Sequence, residues 1–392
     1  MSGCGCAGAA GAGPAPLSPR FAEMVDHALA WAEQAGREGR PLVGIMCEYT
    51  PREVILAAGA VPVCLCGGSQ EMAQAAEEHL PAGVCPLIRS TYGFHLTGEN
   101  PFLERCALLV AETTCDGKKK MYELLAEKRR MQVLELTQKP DDPDALVHWR
   151  AELVKLAEVL AGLTGRRVDE AGLRAAIALM DRERALRLAL ADLMQADEPP
   201  LTGRELLDLK SLISGIPEDL AEYERLLREL PRRPSPMAGR RPLRVLLTGV
   251  PTVHGAERVV DLLEQHGCLV VAQENCTGLK PVLRQVGADA ADPCTALARH
   301  YLHLPCSVMT PNDRRLESLT ALARRFRAEA VVDLAWHGCL TYDIEAARVK
   351  RLCETRLGLP CLRIVTGYEP ADSARLAVRI EALVETARAR RA

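Results

Sequence analysis

Residues 106–129, CALLVAETTCDGKKKMYELLAEKR, decide the fold. CALLVAETT is a short, nearly continuous apolar run of the kind a buried parallel strand requires. The chain then changes period at Cys115, and CDGKKKMYELLAEKR turns helical. A strand that runs straight into a helix through a polar, glycine-containing turn is half of a βαβ unit. Working outward, PLVGIMC (41–47) reads as a buried strand, TPREVILAAGA as a helix opened by Thr50 and Pro51, and VPVCLC (61–66) as another strand. MQVLEL (131–136) is a fourth strand, and residues 20–40 carry apolar positions at helical spacing.

The alternation pauses at Asp144. From there to about Met194 the pattern is helical, with a break near Gly162–Gly165, and further helices reach Leu230. PRRPSPMAGRRP (231–242) reads as a linker. LRVLLTG, LVVAQEN, AVVDLAW and LPCLRIVT then repeat the strand theme between helices. The expected architecture is α/β: two Rossmann/flavodoxin-like parallel-sheet domains with a helical insert between them. The expected boundaries are a flexible tail at 1–19, an N-terminal α/β domain at 20–143, a helical region and linker at 144–240, and a C-terminal α/β domain at 241–392. A ligand would sit in the cleft between the domains.

Composition narrows the function. A net charge of -3 supplies no global basic field for nucleic acid or an anionic membrane, and 4% aromatic residues leave few platforms for base stacking. No apolar run approaches the ~20 residues of a membrane span. The opening residues lack the basic and apolar regions of a secretory signal, so a cytoplasmic location is expected. In that compartment thiols stay reduced, and 15 cysteines point to metal or redox chemistry rather than to disulfides. Cys106, Cys268, Cys294, Cys353 and Cys361 lie inside apolar or helical runs and read as small core hydrophobes. Cys4 and Cys6 fall in the tail.

Six others stand at strand ends or in loops. Cys47 ends the first strand, Cys115 follows LLVAETT, Cys276 follows LVVAQEN and Cys339 follows VVDLAWHG. Cys85 lies in the stretch GVCPLIRSTYG and Cys306 in LPCSVMTPND, both read as loops. Such positions, drawn from both halves, converge on one cleft in an open α/β arrangement. Paired CxxC knuckles and HExxH are absent, which disfavours zinc, whereas dispersed single cysteines suit a larger cluster. Cys115 at a helix N-terminus gains from the dipole, Gly117 permits close backbone approach, and Lys118, Lys119 and Lys120 add positive charge or form a solvated face. Neither GxGxxG after a strand nor GxxxxGK[ST] occurs, so ATP hydrolysis would fall to another protein.

CEYTPREVILAAGAVPV, VCPLIRSTYGF, ETTCDGKKKMYELLAE, ENCTG, TPNDRRLE and HGCLTYDIE resemble the signatures of the 2-hydroxyacyl-CoA dehydratase superfamily from about residue 20 onward. The resemblance implies three cysteines for one [4Fe–4S] cluster, here Cys85, Cys115 and Cys339. With Cys47, Cys276 and Cys306 the set is similar to that of the double-cubane-cluster proteins. These are homodimers that hold an [8Fe-9S] cluster and are charged by an ATP-hydrolysing activator with its own [4Fe–4S] cluster. The implied function is an oxygen-sensitive, low-potential reductase of a small molecule. Cys66 is a reserve ligand, with Cys64 on the same face of the strand.

The same resemblance makes Glu48 and His337 candidate proton donors; a dipole-stabilised carboxylate and a loop-orienting hydrogen bond are their plainer readings. Arg89 and Ser90 are candidates for hydrogen bonding around the cluster, together with Gly117. One alternative is an (R)-2-hydroxyacyl-CoA dehydratase component with a single [4Fe-4S] cluster, a different second subunit and a coenzyme A pocket. Another is a non-enzymatic electron-transfer or cluster module.

Overall fold

The computed structural model describes residues 16–390. Cys4, Cys6 and most of the expected tail lie outside the described residues. At its inner end, the Ser18 hydroxyl accepts from the Phe21 amide and opens helix Pro19–Ala22. Phe21 then stacks on Tyr223 with ring centroids 4.8 Å apart.

Among the described residues eight strands form two all-parallel sheets. The first holds β1 (Leu42–Ile45), β2 (Val61–Cys64), β3 (Cys106–Glu112) and β4 (Met131–Leu134), in the order β2-β1-β3-β4. The second holds β5 (Leu243–Gly249), β6 (Cys268–Glu274), β7 (Ala330–Trp336) and β8 (Cys361–Thr366), in the order β6-β5-β7-β8. The two halves share one topology, with the chain reversing its winding between β1 and β3 and again between β5 and β7. In such sheets the crevice at the carboxyl ends beside that reversal is where ligands bind. Every residue of central β7 and of edge strand β6 is buried, while the edge strands β4 and β8 include half-exposed and exposed positions.

The α/β expectation is met strand by strand, and one local reading is corrected. GVCPLIRSTYG is not a loop beyond Cys85 but the start of helix Pro86–Thr97. Pro86 occupies the first helical position, and Gly98, at φ 71°, ends the helix in the left-handed region. Apolar periodicity is weak because most of its residues are buried and its hydroxyls turn inward: Thr91 donates to the Leu87 carbonyl, and Thr97 to that of Gly93.

The helical insert contains Ala145–Thr164, Glu170–Asp192, Gly203–Asp208 and Pro217–Glu229. Helix Glu170–Asp192 ties the halves together. Arg184 donates to Glu53 at 2.5 Å, and the Tyr301 hydroxyl, from the second half, donates to the same carboxylate at 2.8 Å. Asp181 accepts the amides of Val286 and Gly287 at 3.0 and 2.9 Å. One apolar core includes residues of both sheets, Leu109 and Ala111 with Val245 and Leu334 among them.

Candidate active site

Cys115 and Cys339 are placed by one local pattern. β3 ends at Glu112 and β7 at Trp336; in each case the cysteine comes three residues later and is the N-terminal cap of the next helix, Asp116–Ala126 or Leu340–Leu352. Cys85 caps helix Pro86–Thr97 in the same way. Cys47 and Cys276 each lie two residues beyond a strand, β1 and β6. Cys306 lies between helices Pro293–Leu302 and Asp313–Arg325.

Electrostatic influence links the six thiols in two sets of three. The Cys85 and Cys339 thiols share a hydrogen bond that lowers the Cys85 pKa and raises that of Cys339. Burial raises Cys115, and the neighbouring Cys339 raises it further. Burial pushes Cys47 up to about 12, with Cys306 adding to the rise, and Cys276 climbs for the same reason under the influence of Cys306 and Cys47. Cys306 also acts on Cys115, which joins the trios.

The seam between the halves is closed by glycine. A Cβ on Gly338 would lie 2.2 Å from the Gly83 carbonyl oxygen and 3.0 Å from the Cys85 amide nitrogen. Only a residue without a side chain allows the two cysteine loops to meet there. Gly117, between the helices capped by Cys85 and Cys115, is less constrained: a Cβ on it would stand 2.9 Å from Ile88 Cδ1, the end of a side chain that can shift.

The three lysines after Gly117 part company. Lys118 turns inward and donates to the Met46 carbonyl at 2.8 Å, next to Cys47. Lys119 pairs with Asp116 at 2.8 Å, and Lys120 pairs with Glu123, both on the solvent face. Cys64 and Cys66 hydrogen bond to each other, which draws Cys64 down to about 7, and the Cys66 thiol lies 3.4 Å from the Met46 carbonyl.

The other expected residues are placed as follows. Glu48 is gripped by Arg52 through two bonds of 2.9 Å, and His337 is exposed, its amide donating to the Thr366 carbonyl at 2.9 Å. Arg89 donates to the Val84 carbonyl at 3.1 Å and to Glu77 at 2.7 Å, bracing the loop that carries Cys85. Ser90 accepts the Ser69 amide and donates to the Gly67 carbonyl, tying the loop after β2 to the Cys85 helix.

Two groups escaped the sequence reading. Glu112, the last residue of β3, is fully buried; it accepts from Thr50, its other oxygen has no partner, and burial pushes it up to about 7. It is thus a carboxyl able to hold a proton at neutral pH close to Cys47. On the other side, buried Arg315 pairs with Glu345 at 2.6 Å and Glu274 at 3.2 Å, and lies 4.8 Å from the centre of the Tyr342 ring. Lys280 donates to the Tyr342 hydroxyl at 2.7 Å. The sequence signal for both was a carboxylate ending an apolar strand, Glu112 on β3 and Glu274 on β6.

The donor set bears on what could be held. Among the described residues no three His, Cys, Asp or Glu side chains converge tightly enough for a single metal ion. Thiols gathered around three helix N-termini, with Lys118 and Lys280 nearby, suit a larger anionic iron–sulfur group. Without metal, buried thiols such as Cys47 keep their protons at neutral pH; ligation would release them. The residues present therefore fit such a group.

Comparisons with known proteins place the chain beside dehydratase and reductase subunits. The family model described as 2-hydroxyglutaryl-CoA dehydratase, D-component, matches residues 47–387. The chain is 38% identical over 358 residues to the putative dehydratase subunit YjiM of Escherichia coli (strain K12), covering 88% of this chain and 91% of that protein. It is 22% identical to the (R)-phenyllactyl-CoA dehydratase beta subunit of Clostridium sporogenes, covering 89% and 92%. It is 23% identical to a benzoyl-CoA reductase subunit of Thauera aromatica, covering 81% and 83%.

Proposed function

The chain belongs to the 2-hydroxyglutaryl-CoA dehydratase D-component family, and from that premise we propose that it is a low-potential iron–sulfur reductase of a small molecule. Six thiols, Cys47, Cys85, Cys115, Cys276, Cys306 and Cys339, hold a double-cubane [8Fe-9S] cluster in the cleft between the sheets. The observation that carries the reading is their grouping into two linked trios, each drawing on both halves of the chain. When bound, the cluster supplies strongly reducing electrons, replenished by a separate ATP-hydrolysing activator that carries a [4Fe–4S] cluster. The protein works as a cytoplasmic homodimer.

The chain's own residues shape that chemistry. The helices that begin after Cys85, Cys115 and Cys339 direct their positive ends at the thiolates. Lys118 anchors the Met46–Cys47 turn and brings a positive charge beside it. Burial raises the Glu112 pKa to about 7, so that carboxyl is partly protonated at neutral pH, whereas Glu48 takes two hydrogen bonds from Arg52.

A second reading has its own support. Of the six thiols, only Cys85, Cys115 and Cys339 cap helices, which marks them as a self-sufficient trio for one [4Fe–4S] cluster in an (R)-2-hydroxyacyl-CoA dehydratase component. Iron and acid-labile sulfide per chain, measured on protein purified without oxygen, separate the two. About eight irons supports the double cubane. About four irons overturns it in favour of the dehydratase component.

A further inference from the structure

One face of helix Asp116–Ala126 carries a stripe of polar groups. Cys115 caps the helix, and Lys118 and Tyr122 follow it at spacings of three and seven residues, which places all three on the same side. Tyr122 is buried, with 2% of its surface exposed, yet its hydroxyl has no hydrogen-bond partner among the described residues. Half-buried Lys118 spends one of its three ammonium protons on the Met46 carbonyl and makes no other hydrogen bond among the described residues. The stripe therefore holds donors that the protein itself does not use.

A buried hydroxyl without an acceptor is costly, and folded proteins keep few of them. The groups that act on the Tyr122 hydroxyl are Lys118, Glu112, Cys47 and Cys66. Those that favour the charge on Lys118 are Cys47, Tyr122, Cys66 and Cys115. Sulfur thus surrounds both donors. Glu112 is the one rival acceptor: an oxygen of its carboxyl is also without a partner, but the two groups do not hydrogen bond in the structure. A thiol that keeps its proton is a weak acceptor, whereas a ligated thiolate carries a charge that draws donors to it.

We infer that Tyr122 and Lys118 donate hydrogen bonds to sulfur atoms of the iron–sulfur group on its Cys47–Cys115 side, and that they raise its reduction potential. The inference rests on the reading of the thiols as cluster ligands. It holds for either cluster size, because Cys115 belongs to both ligand sets. Reduction adds negative charge to such a group, so a cation and an O–H donor at its sulfurs stabilise the reduced form more than the oxidised one. Removing either donor shifts the equilibrium toward the oxidised form.

Redox titration of the whole chain, purified without oxygen and followed by electron paramagnetic resonance, tests the stripe. Tyr122→Phe keeps the ring and should move the reduction equilibrium about threefold to tenfold toward the oxidised form. Lys118→Met should move it in the same direction by about tenfold, equivalent to about 59 mV for one electron, and Lys118→Arg should restore most of the shift. Tyr223→Phe is the control. That ring is buried against Phe21 and the groups acting on it are Arg187, Glu183 and Asp219, none of them a thiol, so the potential should not change. If Lys118→Met does not fold, Tyr122→Phe carries the comparison.

An unmoved potential in Tyr122→Phe overturns the inference. So does a shift that disappears when Glu112→Gln is already present, since the hydroxyl would then be serving Glu112. Iron measured on the same samples keeps the two ideas apart: about eight irons with unmoved potentials sinks only the stripe. About four irons with shifted potentials sinks the double cubane and leaves the stripe standing.

Discussion

Cys115 and Cys339 occupy the same position in two copies of one topology, each three residues past a central strand and each capping the helix that follows. Cys115 belongs to the first sheet and Cys339 to the second, yet the charge on one is felt by the other. Two parallel sheets that repeat an order also repeat the crevice at their carboxyl ends. Facing crevices place equivalent residues opposite each other, and that is how two cysteines 224 residues apart in sequence come to share a site.

This equivalence predicts equal consequences. Cys115→Ala and Cys339→Ala should each reduce iron per chain by a similar fraction in protein purified without oxygen. Cys268→Ala, at a thiol buried in β6 with no link to either trio, should leave iron unchanged. Iron analysis with visible absorbance checks all three. Unequal losses for the first two would show that the repeated topology does not extend to their roles.

Gly338 should be intolerant of a methyl group. Its φ of 76° favours glycine, and an added Cβ would press on the Gly83 carbonyl and the Cys85 amide. Gly338→Ala is expected to cost about 1–3 kcal/mol of stability and to lower iron content. Gly98→Ala is the control: it has a similar φ of 71° but no atom within 4 Å of an added Cβ, so only the backbone strain of about 1 kcal/mol applies and iron should be retained. Urea unfolding and iron analysis read both effects.

Arg184 should matter to stability because three separate segments meet at Glu53. The Glu53 carboxylate is fully buried and takes hydrogen bonds from Arg184 and from Tyr301. Arg184→Met leaves a buried carboxylate short of its cation and should cost about 3–5 kcal/mol in urea unfolding. Adding Glu53→Gln removes the stranded charge, so the double variant should recover part of that loss.

The particular residues show why some of the molecule was readable in sequence and some was not. The strands were legible because parallel strands buried on both faces become unbroken apolar runs, as in AVVDLAW for β7. Helix Pro86–Thr97 was not, because its serine and threonine hydroxyls and Gly93 break the apolar stripe while the helix is buried on most sides. At the site, the cysteines stood out as a residue type at strand ends. Which thiol faces which could not be read, since it depends on how the two sheets lean together at Gly83 and Gly338. The three lysines after Gly117 look alike in sequence, and only the helix phase sends Lys118 inward to the Met46 carbonyl.

His300 should make the protein sensitive to mild acid. Burial lowers its pKa to about 4, with the Arg184 guanidinium adding to the effect, so it is neutral in the folded protein. An unfolded histidine titrates near 6.5. Above about pH 6.5 neither state carries the proton, and the group has no effect on the pH dependence of stability. As pH falls from about 6.5 toward 4, the unfolded chain takes up a proton that the folded chain refuses, and stability drops by as much as ~3 kcal/mol. Below about 4 both states are protonated and the drop is complete. His300→Phe keeps a ring against Tyr301, on which His300 packs edge-on at 5.1 Å, and removes the titrating nitrogen. Urea midpoints at pH 7 and pH 5 should differ less in that variant than in the wild type. An unchanged difference would mean that the acid response arises elsewhere, with Glu112 and Asp333 as buried carboxyls of the opposite sign: burial raises both, so each favours the folded state as pH falls.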